Sequence, residues 1–328
     1  MIRQDDLRAR SPSLPLPSAA VLRDYGIYLA LLALIAFFSA RIPEFRTWDN
    51  ALLIVLQVSV IGIIAIGMTF TIITAGIDLS VGSLLAVAGI MSGLFAQRPE
   101  TPLTATLAFT VPILLGLLGG AVNGAIVAFA GVNPLIATLG SLTAYRGFIV
   151  WFRVNPIYGL QPYYGVVGQG QVFGLPMPVL ILVLLAIAGW VILSFTRFGR
   201  YVYAVGGNRE AARAAGINVA LVTFAVYVIS GFCVGVAALV FTSRLMAAQA
   251  ISGQGFELQA IAAAVIGGAS LFGGRGRISN TIVGALIMGV LFNGFVMLDV
   301  PQPIQQMFIG VIIVFAVWLD AALRRRRH

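Results

Sequence analysis

Residues 51–73 read ALLIVLQVSVIGIIAIGMTFTII, with no charged side chain among them. As an α-helix this run is about 35 Å long, enough to cross a hydrocarbon core of roughly 30 Å. Only the turn TAGIDLS (74–80), five residues of it outside either run, separates it from a second apolar run at 79–96. Working outward, ten such segments follow one another: 25–42, 51–73, 79–96, 103–130, 134–152, 178–195, 220–243, 257–272, 279–298 and 303–320. The 328-residue chain is 60% hydrophobic and 9% charged, with a mean hydropathy of +1.01. Soluble domains carry roughly 25% charged residues. The runs are continuous rather than short and alternating, so helices are expected and a barrel is not. The expected fold is all-α, a polytopic membrane helix bundle of about ten transmembrane helices. The fourth run is long and glycine-rich, which predicts a kink or break; the fifth, 134–152, reads either as a span or as a re-entrant segment.

Residues 1–24 read as a polar, proline-rich tail rather than a cleaved signal peptide. Residues 25–320 form the transmembrane domain, and 321–328 an arginine-rich tail. All twenty basic residues are arginine. With the N-terminus placed in the cytoplasm, fourteen of them fall inside, at residues 3–23, 197–213, 275–277 and 324–327; five fall outside, and Arg146 lies within a span. This asymmetry puts both termini in the cytoplasm. It also accounts for the net charge of +9, so nucleic acid is not an indicated partner. VNGAIVAFAGVNPLIATLG (122–140) is similar to FNGFVMLDVPQPIQQMFIG (292–310). The first begins in a span running inward and the second in one running outward, which reads as a five-plus-five inverted repeat.

The chain contains no lysine, which excludes a P-loop and Schiff-base chemistry. Cys233 is its one cysteine and His328 its one histidine, so no disulfide and no histidine-based metal centre is expected. The glycine-rich IGGASLFGGRGRIS (266–279) follows a helix and lacks a lysine, and reads as a tight cytoplasmic turn. Asp78, in TAGIDLSVGS (74–83), is the only acidic residue between Asp49 and Glu100. Carboxylates at membrane depth are costly and mark function by default. Two roles suit it: with Ser80 and Ser83, a cap for the next helix, or a polar constriction on a transport path. Gly76 and Gly82 are expected to let the backbone turn. Asn123, Asn133, Asn293, Gln302, Gln305 and Gln306 are amides in apolar surroundings. They act either as glue between helices or as neutral donors and acceptors lining a path for a hydroxylated solute. Arg146 is expected to snorkel or to pair.

FTRFGRYVYAVGGNREAARAAGIN (195–218) interrupts the apolar pattern with four arginines. Asn208 is a favourable N-cap, Glu210 suits the first turn, and Gly216 suits the end. The segment predicts a short amphipathic helix on the cytoplasmic face, there to meet a soluble partner or to rest on anionic lipid through Arg209 and Arg213.

Four segments, AIGMTFTIITAGIDLSVGSLLA (65–86), NPLIATLGSLTAYRG (133–147), GRYVYAVGGNREAARAAGINV (199–219) and AIAAAVIGGASLFGGRGRI (260–278), resemble in content and order the permeases of ribose-type sugar ABC importers. The resemblance extends over about 50–320. It implies that the loop 196–219 carries a coupling helix docking in a cleft of the ATPase, with Glu210, Ala211, Ala212 and Gly216 at the matching positions and Arg200, Asn208, Arg209 and Arg213 around them. It implies as partners a second permease copy, identical or related, a cytoplasmic ATPase and a periplasmic sugar-binding protein, in a bacterial inner membrane. ATP hydrolysis is then the work of another chain, and no cofactor is expected here. A branched-chain amino-acid permease of the same superfamily would share the coupling loop. A stand-alone secondary transporter would need paired intramembrane carboxylates, and a membrane enzyme a cluster of reactive side chains.

Overall fold

The computed structural model describes residues 19–325. Residues 1–18 of the expected N-terminal tail and 326–328 of the arginine-rich end lie outside the described residues. A helix occupies each of the ten apolar segments: α1 (Ala19–Arg41), α2 (Trp48–Ile73), α3 (Val81–Ala96), α4 (Pro102–Ala128), α5 (Pro134–Phe152), α7 (Met177–Phe195), α10 (Val219–Leu245), α11 (Phe256–Ile266), α12 (Ile278–Met297) and α13 (Gln302–Arg325). A single-turn α6 (Val166–Gln169) and a two-stranded hairpin, β1 (Gln171–Val172) with β2 (Leu175–Pro176), precede α7. Helices α8 (Arg197–Gly207) and α9 (Arg209–Ala214) fill the polar interruption. By length and composition α2, α4, α5, α7, α10 and α12 can cross a membrane; α1, α3, α11 and α13 contribute shorter apolar stretches. The chain is a polytopic helix bundle.

Three expectations change. Helix α4 is unbroken, with Pro112 inside it. Its glycines serve packing. A Cβ on Gly116 would fall 2.7 Å from the Gly235 Cα, and one on Gly120 would fall 2.9 Å from the Gly231 Cα. Glycines four apart on each helix thus let α4 and α10 touch backbone to backbone, the small-residue packing that replaces the hydrophobic effect in lipid. Helix α5 is continuous over 19 residues rather than re-entrant. Helix α11 stops at Ile266, short of the 272 expected, because Gly268, Gly273 and Gly274 take positive φ and the chain leaves the helix there.

Helices α2 and α10 form the centre. Gly67 of α2 lies against the Ser230 backbone and Cys233 of α10. Helix α2 packs on α12 and α11 as α10 packs on α4 and α3; α3 packs on α4 and α5 as α11 packs on α12 and α13. Two helices begin inside the bundle. Gly82, the second residue of α3, meets the Gly253 carbonyl and the Glu257 carboxylate at the start of α11. Polar backbone at this depth is tolerated only where protein or a cavity surrounds it.

Candidate functional site

The connector between α2 and α3 does not lie at the surface. Asp78 is fully buried. Its Oδ2 accepts from the Ser230 hydroxyl at 3.2 Å. Ser230 is eleven residues into the 27-residue α10, about 16 Å along its axis. The carboxylate therefore stands near mid-helix depth. Its Oδ1 accepts from the Ser80 N–H at 3.0 Å and the Ser80 hydroxyl at 2.7 Å, with the Asn123 amide at 3.4 Å. Asn123 Nδ2 also donates to Ser80 Oγ at 2.8 Å, and its carbonyl accepts from Ser141 Oγ at 2.5 Å. Ser83 Oγ donates to the Ser80 carbonyl. One network thus ties the connector to α4, α5 and α10, with every donor to the carboxylate a neutral group.

This arrangement decides the capping role weighed for Asp78. It closes an Asx turn on Ser80 rather than capping the later N–H groups of α3, and the Ser80 side chain makes no cap bond. The left-handed residue of the turn is Ala75, at φ 59°, not Gly76. Gly76 is required for space, since a Cβ there would fall 2.8 Å from Tyr227 Oη. Tyr227 and Thr138 both donate to the Ile77 carbonyl, at 3.1 and 3.2 Å. Tyr227, Thr138, Ser141 and Ser230 went unnoticed in the sequence because an isolated hydroxyl in an apolar helix carries no local signal of its partner.

The other amides part company. Asn293 pairs with buried Asn50 through two amide hydrogen bonds, at 2.8 and 3.1 Å, and so ties α12 to α2. Asn133 is exposed and caps α5 by accepting from Leu135 N–H. Gln302, Gln305 and Gln306 line a cleft beside α12 and α13. Arg146 donates to the Ala250 and Ser252 carbonyls, stapling α5 to the segment that leads into α11.

The polar interruption folds as its residues predict. Asn208 Oδ1 accepts from Ala211 N–H at 3.0 Å. Gly216 takes φ +81°, and Ile217 N–H returns to the Ala212 carbonyl. Glu210 and Arg213 pair at 3.0 Å with both side chains largely exposed, worth little in stability. Ala212 is buried, while Ala211 faces outward. Arg209 Nη2 donates to the Thr74 carbonyl at 3.2 Å, and Thr74 is the C-cap of α2. Helix α9 is thereby bonded to the first residue of the connector that carries Asp78. The preceding helix α8 was not foreseen. Gly206 at its end fits against the Ile73 carbonyl, Gly274 N–H bonds the same carbonyl at 2.8 Å, and Tyr203 donates to the Gly276 carbonyl at 2.7 Å. Burial raises the Tyr203 phenol above its ordinary range, and Arg277 partly offsets this. Arg200 folds back on the Thr196 carbonyl at 3.3 Å.

Comparison with known proteins matches the sequence to a family. Residues 50–317 fit the family model described as branched-chain amino acid transport system / permease component. The chain is 42% identical to a ribose import permease protein of Haemophilus influenzae over 92% of this chain and 94% of that one. It is 38% identical to a D-allose transport system permease protein of Escherichia coli over 92% of each chain. With a xylose transport system permease protein of Escherichia coli it shares 35% identity over 93% of each. No solved structure matches. With the helix bundle and the capped loop helix beside the α2–α3 connector, these similarities make the chain a member of the ribose-type sugar ABC transporter permease family.

Proposed function

We propose that this chain is the membrane-spanning subunit of an ATP-driven importer that admits a monosaccharide, a ribose-like pentose or a related sugar, to the cytoplasm of a bacterium. Two permease copies, a cytoplasmic ATPase and a periplasmic sugar-binding protein complete the machine. It sits in the inner membrane with both termini inside, as the arginine distribution argues. Its two halves form a five-plus-five inverted repeat, which the matching helix pairings of α2 with α12 and of α10 with α4 support.

The observation that carries the reading is the bond from Arg209 to the Thr74 carbonyl. Helix α9 offers Glu210, Ala211 and Arg213 to a soluble partner, and Arg209 joins it to the connector. Closure of the ATPase on nucleotide displaces α9, and the displacement reaches Asp78, whose carboxylate holds the connector, α4 and α10 together. The hydrogen bonds of Asp78, Ser80, Ser83 and Asn123 then rearrange as access alternates.

The test is Glu210→Arg with the complete transporter. The variant inserts normally, sugar uptake is lost, and ATP hydrolysis no longer responds to loaded binding protein. Wild-type uptake would remove the coupling role. The match to the branched-chain amino acid permease family model favours a second substrate class, a branched-chain amino acid. Deletion of the gene in its host, followed by uptake of labelled ribose, allose, xylose and leucine, separates the two.

A further inference from the structure

The cleft beside α12 and α13 has a volume of about 740 Å³, within the range of small-molecule sites. Its lining is unusual in kind. Gln57, Gln254, Gln259, Gln302, Gln305 and Gln306 all contribute, six of the twelve glutamines in the chain. They come from the first half of α2, the segment that leads into α11 and its first turn, and the first two turns of α13, segments far apart in sequence. Glutamines outside a site would be scattered over the loops; these converge. Gln305 is buried and donates to the Val300 carbonyl at 2.8 Å, which leaves its amide oxygen as an acceptor. Arg244 ends α10 at the same place, and its guanidinium bonds the Leu56 carbonyl at 2.9 Å. This bond uses one of the several N–H groups of the guanidinium and leaves others to donate. Glu257 is the one carboxylate of the lining, and Phe241, Phe256 and Phe292 supply apolar faces.

Neutral amides in number, one cation offset by one carboxylate, and flat apolar rings suit a neutral polyhydroxylated ring. The amides both donate and accept, as each hydroxyl does. An ion would find too little net charge, and an aliphatic side chain too many polar groups that it leaves unpaired. We propose that this cleft is the point at which the sugar is received from outside before it passes the Asp78 network. This rests on the sugar-importer reading, in whose topology the starts of α2 and α13 and the end of α10 lie at the outer surface.

Three measurements in host cells carrying the full transporter test it. Uptake of labelled ribose, allose and xylose by the wild-type chain, against a strain lacking it, comes first. If leucine is carried and no sugar is, the importer reading fails and this proposal falls with it. Given sugar uptake, the exposed pair Gln57→Ala and Gln306→Ala together slow it about tenfold, as for the loss of two hydrogen bonds. They also change the ratio of rates among the three sugars, which a merely structural role would not do. ATP hydrolysis stimulated by loaded binding protein is retained. Finally, Gln306→Cys is assembled and then modified with a membrane-impermeant maleimide. Cys233, the native cysteine, is buried, so the wild-type is the unreacted control. Modification after folding blocks uptake. Complete modification with unchanged uptake, or unaltered rates and ratios in the double variant, overturns the proposal while leaving the importer reading intact.

Discussion

One carboxylate shows how much a single residue can organise. Asp78 receives three hydrogen bonds from Ser80 and Ser230, with Asn123 a fourth contact. Asp78→Ala leaves those buried donors without an acceptor, at about 1–3 kcal/mol for each group stranded. It should lower the amount of folded chain and the midpoint of thermal unfolding in detergent. Asp78→Asn keeps the shape and one acceptor oxygen. If the aspartate works in transport, the Asn variant unfolds close to wild-type temperature and still loses uptake, as labelled-sugar transport will show. Equal loss of folding and uptake in both variants would leave it a purely structural turn. Gly76→Ala should also destabilise, since the added methyl meets Tyr227 Oη; thermal unfolding reads the effect, and Tyr227→Phe in the same chain should recover part of it.

Among the elements, α9 is small and its cap matters. Asn208→Ala removes the bond to Ala211 N–H and should cost about 1 kcal/mol of local helix stability. Hydrogen exchange of residues 209–214 should quicken, while the membrane helices keep their protection. Uptake should fall with a normal amount of inserted chain. The glycine seam of α4 and α10 is the opposite case. Gly231→Leu drives a side chain into the Gly120 backbone and should cost about 3 kcal/mol or more. The outcome is loss of the folded chain, seen as aggregation on size-exclusion chromatography. A folded Gly231→Leu variant would mean that the two helices can move apart.

Over the whole molecule, the exposed apolar side chains of α5 and α13, among them Trp151, Met307 and Trp318, must face lipid or protein. With a second copy among the proposed partners, gentle purification should recover two permease chains with an ATPase that carries two nucleotide-binding domains in one polypeptide. Single-domain ATPases would move the assignment to the amino-acid branch. Orientation is checked at Arg200 and Arg98: cysteines placed there should react with an impermeant reagent from the cytoplasmic and the outer side respectively. Reversal would invert the topology on which the cleft proposal depends.

The sequence by itself determined the material of the fold. Apolar runs longer than a bilayer core forbid anything but helices, and each of the ten segments is helical. It also determined α9, because a cap, a first-turn acid and a terminal glycine act within six or eight residues of one another. The four-segment resemblance carried the family. Only the tertiary structure decided the rest, because those features depend on which helices meet. Asp78 reads the same whether its turn lies at a surface or beside Ser230 in the middle of α10. The amides split into four fates: Asn123 in the carboxylate network, Asn133 capping α5, Asn293 paired with Asn50, and the three glutamines of α13 in the cleft. Asn133 finds its partner two residues away, but the partners of Asn123 and Asn293 lie 18 to 243 residues off, where no local signal reaches. The glycines of α4 look like flexibility in one dimension and are a packing surface in three. Local signals fix local structure, and contacts between distant segments of an apolar bundle are fixed by shape and by the need to satisfy each buried polar group.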